Sequence, residues 1–263
     1  MDDDTTPSLD NTHDTRSLQD NSRMQIEWDG VGAVVQQVII SEGLYGNENE
    51  KLASCYDVTH NDAANEIEID FGDGCETLGI TRSGKINVLY TGKYREEGTV
   101  ITATLENYVS NGNPLEGTRT VTNKGENAEG HIEYGIKVDD AKITFDNGDE
   151  ITWSSDRTRL WVEGQDTPMN IQDNVYKVFG SSSGINRNEE AFDISIPEAD
   201  PLHYDMSCWQ ETQLPVSGQF ALNSEGLINQ WMVDYGHGEG ECNRTVQVNI
   251  GSSISFEVDL NQN

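Results

Sequence analysis

Lys85-Ile86-Asn87-Val88-Leu89-Tyr90 and Ile101-Thr102-Ala103-Thr104-Leu105-Glu106 set core-forming residues at every second position. A period of two belongs to a strand whose side chains alternate between faces, so both stretches read as half-buried β-strands. The alternation returns at Ile132, Tyr134 and Ile136, at Phe192, Ile194 and Ile196, and at Ile254, Phe256, Val258 and Leu260. Turn-forming residues punctuate these runs at Ser83-Gly84, Asn111-Gly112, Asn147-Gly148, Ser183-Gly184, Ser217-Gly218 and Ile250-Gly251. From Glu66 onward, roughly a dozen strands joined by short turns are expected. The fold class is therefore mainly β: an antiparallel meander or sandwich, or an open barrel. The pattern leaves the choice among these open.

Upstream, Ile26, Val31, Val34, Val35, Val38 and Ile39 fall near helical spacing, although Gly30 and Gly32 interrupt it. One short N-terminal helix is expected within 25–44. Before it, residues 1–23 have no periodic apolar pattern and are crowded with Asp, Asn, Ser and Thr. Such a segment cannot offset the entropy of ordering, so it reads as a disordered acidic tether. The folded part is then one all-β domain, 24–263, with related halves at about 50–165 and 166–263 as the division a repeat suggests.

The chain has 263 residues, and 47 Asp and Glu against 16 Lys and Arg give a net charge of −31. Nucleic acid, which demands a basic surface, is excluded as a partner on this balance. No apolar run approaches the roughly 18 residues of a membrane helix.

The four cysteines, Cys55, Cys75, Cys208 and Cys242, contain no C-x-x-C pair, which argues against a zinc cage and for disulfides. Spacing alone permits three connectivities. Ile69-Asp70-Phe71-Gly72-Asp73-Gly74-Cys75 and Val233-Asp234-Tyr235-Gly236, running on to Cys242, share an order of strand, Asp, aromatic, Gly-rich turn and Cys. Each is preceded by a cysteine followed by an aromatic, Cys55-Tyr56 and Cys208-Trp209. Two Gly-rich turns could coincide by chance; read as a repeat, they pair Cys55 with Cys75 and Cys208 with Cys242.

Signals for chemistry are sparse. Gly236, Gly238 and Gly240 mimic a phosphate loop but lead into a strand, with no helix N-terminus to meet a phosphate. The five histidines form no pair at metal-ligand spacing and read as surface residues. Asp146, Asn147 and Asp149 set oxygens around a tight turn that calcium could use, although hairpin chemistry explains the same residues. Trp153 and Trp161 flank an expected turn at 154–157; exposed, they would suit ligand stacking against a sugar, and buried, they are core. No catalytic residue and no cofactor is assigned.

Ile67-Glu68-Ile69-Asp70-Phe71-Gly72-Asp73-Gly74-Cys75, Arg82-Ser83-Gly84-Lys85-Ile86, Tyr90-Thr91-Gly92-Lys93-Tyr94 and Glu116-Gly117-Thr118-Arg119-Thr120-Val121-Thr122-Asn123 resemble a group of secreted Bacteroidetes lipoproteins with no assigned activity. Asp234-Tyr235-Gly236 with Cys242-Asn243-Arg244-Thr245-Val246 is similar to their C-terminal signature. The resemblance spans about residues 50 to 260. It implies an exported, lipid-anchored protein at the outer membrane, with Met1 standing where the lipidated cysteine sits in a chain cut to its mature form. Asp2-Asp3-Asp4 is similar to the acidic signal that sends such proteins to the cell surface. The function expected is a non-enzymatic binding or scaffold module, its partner an outer-membrane protein or a glycan. A periplasmic carrier of lipid or another hydrophobic ligand, a glycan-binding module and a hydrolase with its site in loops are the alternatives.

Overall fold

A computed structural model describes residues 14–45, 55–167, 170–236 and 242–260. It is 53% strand and 14% helix. The first element is the helix α1 (Arg16–Ser41), followed by β1 (Asp57–Asn61), β2 (Glu66–Asp70), β3 (Cys75–Thr77), β4 (Ile80–Tyr90), β5 (Val100–Ser110), β6 (Asn113–Glu126), β7 (Ile132–Thr144) and β8 (Glu150–Glu163). After a 3-10 turn at Ile171–Asp173 come β9 (Val175–Ile185), β10 (Ala191–Ile196), β11 (Leu202–Asp205), the one-turn helix α2 (Trp209–Thr212), β12 (Gly218–Ser224), β13 (Trp231–Tyr235), β14 (Thr245–Ile250) and β15 (Ile254–Asp259).

The strands form one antiparallel sheet in the order β1-β2-β4-β5-β6-β7-β8-β9-β10-β12-β13-β14-β15, with β3 on β4 and β11 on β9. Nearly every strand pairs with its neighbours in sequence, and the sheet does not close into a barrel. The connectivity is that of a meander, in keeping with the expected meander or sandwich. Both sequence halves contribute to this one sheet and to one hydrophobic cluster that includes α1.

The sheet curves around α1. Its side chains reach strands far apart in the order: Glu27 accepts from Ser110 Oγ on β5, Asn21 from Trp153 Nε1 on β8, Gln25 donates to Tyr204 Oη on β11, and Ser17 bonds Ser224 on β12. The helix is therefore longer and earlier than its apolar spacing predicts, and 16–23, expected to be tether, forms its first two turns. The physical reason is tertiary. Ser17, Asp20, Asn21 and Ser22 are buried polar residues, and for three of them the sheet and its β9–β10 turn supply partners that no local pattern reveals. The rest of the expected tether, 1–13, lies outside the described residues.

Gly30 and Gly32, which interrupt the helical pattern, have a packing purpose. A Cβ on Gly30 would stand 3.0 Å from Arg82 Nη2, and one on Gly32 would stand 2.8 Å from the central carbon of the Arg119 guanidinium. Both glycines let arginines from the sheet lie against the helix backbone.

Asn111-Gly112, Asn147-Gly148 and Ile250-Gly251 are turns between consecutive strands, as expected. Ser83-Gly84 is instead a bulge inside β4, where Gly84 has φ +78° and its Cα packs against the Asn107 carbonyl. Ser183-Gly184 lies within β9, whose turn to β10 comes at 186–190, and Ser217-Gly218 leads into β12. Alternation in β15 is incomplete: Val258 and Leu260 are buried, but Ile254, at the far end of this edge strand, is exposed.

Both disulfides of the repeat reading are present, Cys55–Cys75 and Cys208–Cys242. Paired thiols of this kind belong to an oxidising compartment, so the protein is exported rather than cytoplasmic. No helix among the described residues is long and apolar enough to cross a membrane.

Candidate ligand-binding cavity

Gln25, Asp29, Gly32 and Gln36 recur at steps of four, three and four along α1, which stacks them on one face. That face looks onto a cavity of about 90 Å³ between the helix and the sheet. Opposite it, strand alternation turns Arg119 of β6 and Trp153, Ser155, Arg157 and Arg159 of β8 inward to line the same space. Register aligns them: Arg119 pairs with Val138 of β7, which pairs with Ser155, while Arg157 is the next inward residue along β8.

The three arginines differ in how well they are held. Arg157 donates to Ser182 Oγ at 3.2 Å and stands 5.5 Å from the centre of the Trp153 ring. Arg159 donates to Tyr94 Oη and lies over Tyr176, 4.6 Å from its ring centre, and Tyr134, at 5.3 Å. Arg119 is buried and makes no hydrogen bond or ion pair with any described residue. In all three the Nε–H is shut away without an acceptor.

Asp29 is the one carboxylate among the lining residues, and it too forms no ion pair or hydrogen bond with a described residue. Burial raises its pKa, and the charges of Arg119, Arg157 and Arg159 pull it back in part. Burial also pushes Arg119 below the usual guanidinium value, with Asp29 opposing. Tyr176 is pushed up to about 12 by burial, so its phenol stays neutral and serves as a ring and a hydroxyl. Three guanidinium groups thus face one carboxylate in a chain that is otherwise strongly acidic.

No family model, curated protein or solved structure matches this chain. The cavity is consequently read from its own chemistry.

The residues singled out from sequence are distributed differently. Trp153 and Trp161 are both buried, and the expected turn between them is continuous β8. Their indole N–H groups donate to Asn21 Oδ1 and Asn174 Oδ1, each at 3.0 Å. Trp153 lines the cavity; neither offers a face to solvent for sugar stacking. Asn147 Oδ1 accepts from the Asp149 backbone N–H at 3.0 Å and Asn147 Nδ2 donates to Asp149 Oδ2 at 2.9 Å, so both close the β7–β8 turn, and Asp146 sits beside them. Among the described residues no group of three or more acidic, His or Cys side chains is placed to hold a metal. His60, expected on the surface, is largely enclosed, with Nδ1 3.0 Å from Glu42 Oε2 and Nε2 2.8 Å from Tyr90 Oη, and it ties the end of α1 to β1 and β4. His13, His237, Gly238 and Gly240 lie outside the described residues.

Asp29, Arg119, Arg157 and Arg159 carry the site. For the three arginines the signal in the sequence is their inward position on strands, in phase with Val121 on β6 and Trp161 on β8. Apolar counting passes over it.

Proposed function

We propose that this chain is an exported, non-enzymatic binding module that holds a small ligand between α1 and the concave face of the sheet. The observation that carries this reading is the cavity, where Asp29 and three arginines meet aromatic side chains without satisfying one another. Guanidinium groups stay protonated and offer fixed donors, which suits recognition rather than proton transfer. The volume admits roughly half a dozen waters, or a ligand of a few non-hydrogen atoms. That weighs against a carrier of acyl chains, as does α1 itself, which fills the concavity such a carrier would leave open. The proposal includes a lipid anchor at the outer membrane and outward contact with a membrane protein or glycan, supported by the sequence resemblance and the oxidised cysteines.

Native mass spectrometry of the oxidised full-length protein, purified without added ligand from its own cells, tests the reading. A stoichiometric adduct lost on denaturation is expected. A bare protein mass, with no small molecule raising the melting temperature, would overturn it. Protease shaving of intact cells addresses the surface location, which is abandoned if the protein survives while other surface proteins are lost.

A further inference from the structure

Three other arginines on or against the helix have an ion-pair or hydrogen-bond partner. Arg187 donates to Asp20 Oδ1 at 2.6 Å, Arg23 lies 2.7 Å from Glu27, and Arg82 donates to Tyr108 Oη and to the carbonyls of Thr77 and Ile80. Arg119 has no such partner, although it is 7% exposed and therefore as enclosed as a core residue. Its counter-charge is Asp29, which acts on it through space without a hydrogen bond or close ion pair, and its buried Nε–H is left without an acceptor, an arrangement native structures rarely keep. Gly32 leaves room for it: a Cβ there would stand 2.8 Å from the guanidinium carbon, so a side chain at this position would push the Arg119 tip aside.

Resting on the binding-module reading above, we infer that the cavity is a site for a small oxyanion, a carboxylate or a phosphate, gripped by Arg119 and Arg157. Two oxygens of one anion match the forked donors of a guanidinium, and a charge-assisted pair in an enclosed site is strong. Arg159 adds positive potential from its cage of tyrosine rings. Asp29 sets a limit: its carboxylate opposes a second negative charge, so a monoanion fits better than a dianion, and a hydroxyl or amine on the same ligand would find its acceptor there. The aromatic lining takes the apolar remainder of the molecule. The acidic exterior leaves this as an inward-facing cationic pocket in a chain of net charge −31.

The test is isothermal titration calorimetry of the full, oxidised protein with sodium acetate and, separately, inorganic phosphate, at ionic strength held constant with sodium chloride. One-to-one binding of either anion is expected, and which one binds identifies the source of the oxyanion. Arg119→Gln should weaken it about tenfold or more, from loss of a charged donor. Asp29→Asn should tighten it, because a like charge is removed. Should Arg119→Gln fail to fold, Asp29→Asn decides alone: unchanged or weaker affinity overturns the inference. If neither anion binds the wild-type protein, the inference is also overturned. A neutral adduct in the mass spectrum would then keep the binding-module reading alive, whereas a bare mass would remove both.

Discussion

Asp20 is wholly buried, and its two oxygens accept three N–H groups of one residue: Oδ1 from Arg187 Nε at 2.9 Å and Nη2 at 2.6 Å, Oδ2 from the Arg187 backbone at 2.8 Å. The guanidinium is further stacked over Phe145, 4.8 Å from its centre. Removing one member of such a pair strands the other, which costs far more than the pair contributes as a unit. Asp20→Ala is expected to lower stability by about 3 to 5 kcal/mol, measured by urea unfolding followed by circular dichroism. The double replacement by apolar residues should recover a good part of this. Pairs on the outer face behave differently: Lys85 with Glu68 and Asp70, and Lys142 with Glu116 and Glu150, are solvated and screened. Arg187 turns inward to one specific acceptor while Lys85 and Lys142 face water, a contrast that follows from the planar fork of one head group and the strong hydration of the other.

At the scale of elements, α1 is held by its neighbours more than by its own propensity, and Gly32 isolates that distinction. Gly32→Ala removes a helix-weakening residue, worth about 1 kcal/mol in an exposed helix, but its methyl would meet the flexible tip of Arg119 at 2.8 Å. The tip can swing away while the helix stays. The expected outcome is a melting temperature within a few degrees of the parent and a clear loss of acetate or phosphate affinity; a parallel fall in both would mean that the helix, not the guanidinium, had moved. The same helix marks where sequence reading stops. Strands were legible because one face is apolar and period two survives in any register: Ile86 and Val88, Ile101 and Ala103, and Phe192, Ile194 and Ile196 are all buried. Polar residues at 17–22 gave no such signal, since their burial depends on Ser224, Trp153, Ser182 and Arg187, which lie more than 130 residues away. Ile254 failed for the converse reason, because an edge strand can run past the core it joins. The cavity was illegible in the same way as the helix, being built from charges that only the curvature of the sheet brings together.

Across the whole molecule, the meander is open, and open sheets can fray at their ends. Each disulfide lies near one end: Cys55–Cys75 ties the approach to β1 to β3, beside β4, and Cys208–Cys242 ties the start of α2 to the approach to β14. They close loops of 20 and 34 residues. By the chain-entropy estimate each adds about 3 to 4 kcal/mol, so replacing either pair by alanines should lower the urea midpoint by a corresponding amount, and a negligible change would show that the sheet ends need no brace. The central helix has a consequence of another kind, in the order of synthesis. It is the first described element to be made, yet its polar side chains wait for Arg187, Tyr204 and Ser224, residues that follow their partners by 167, 179 and 207 positions. Until then the helix has no finished seat. A protein exported as an unfolded thread must stay unfolded while it crosses a membrane, and here α1 cannot settle before the strands that carry Tyr204 and Ser224 have arrived.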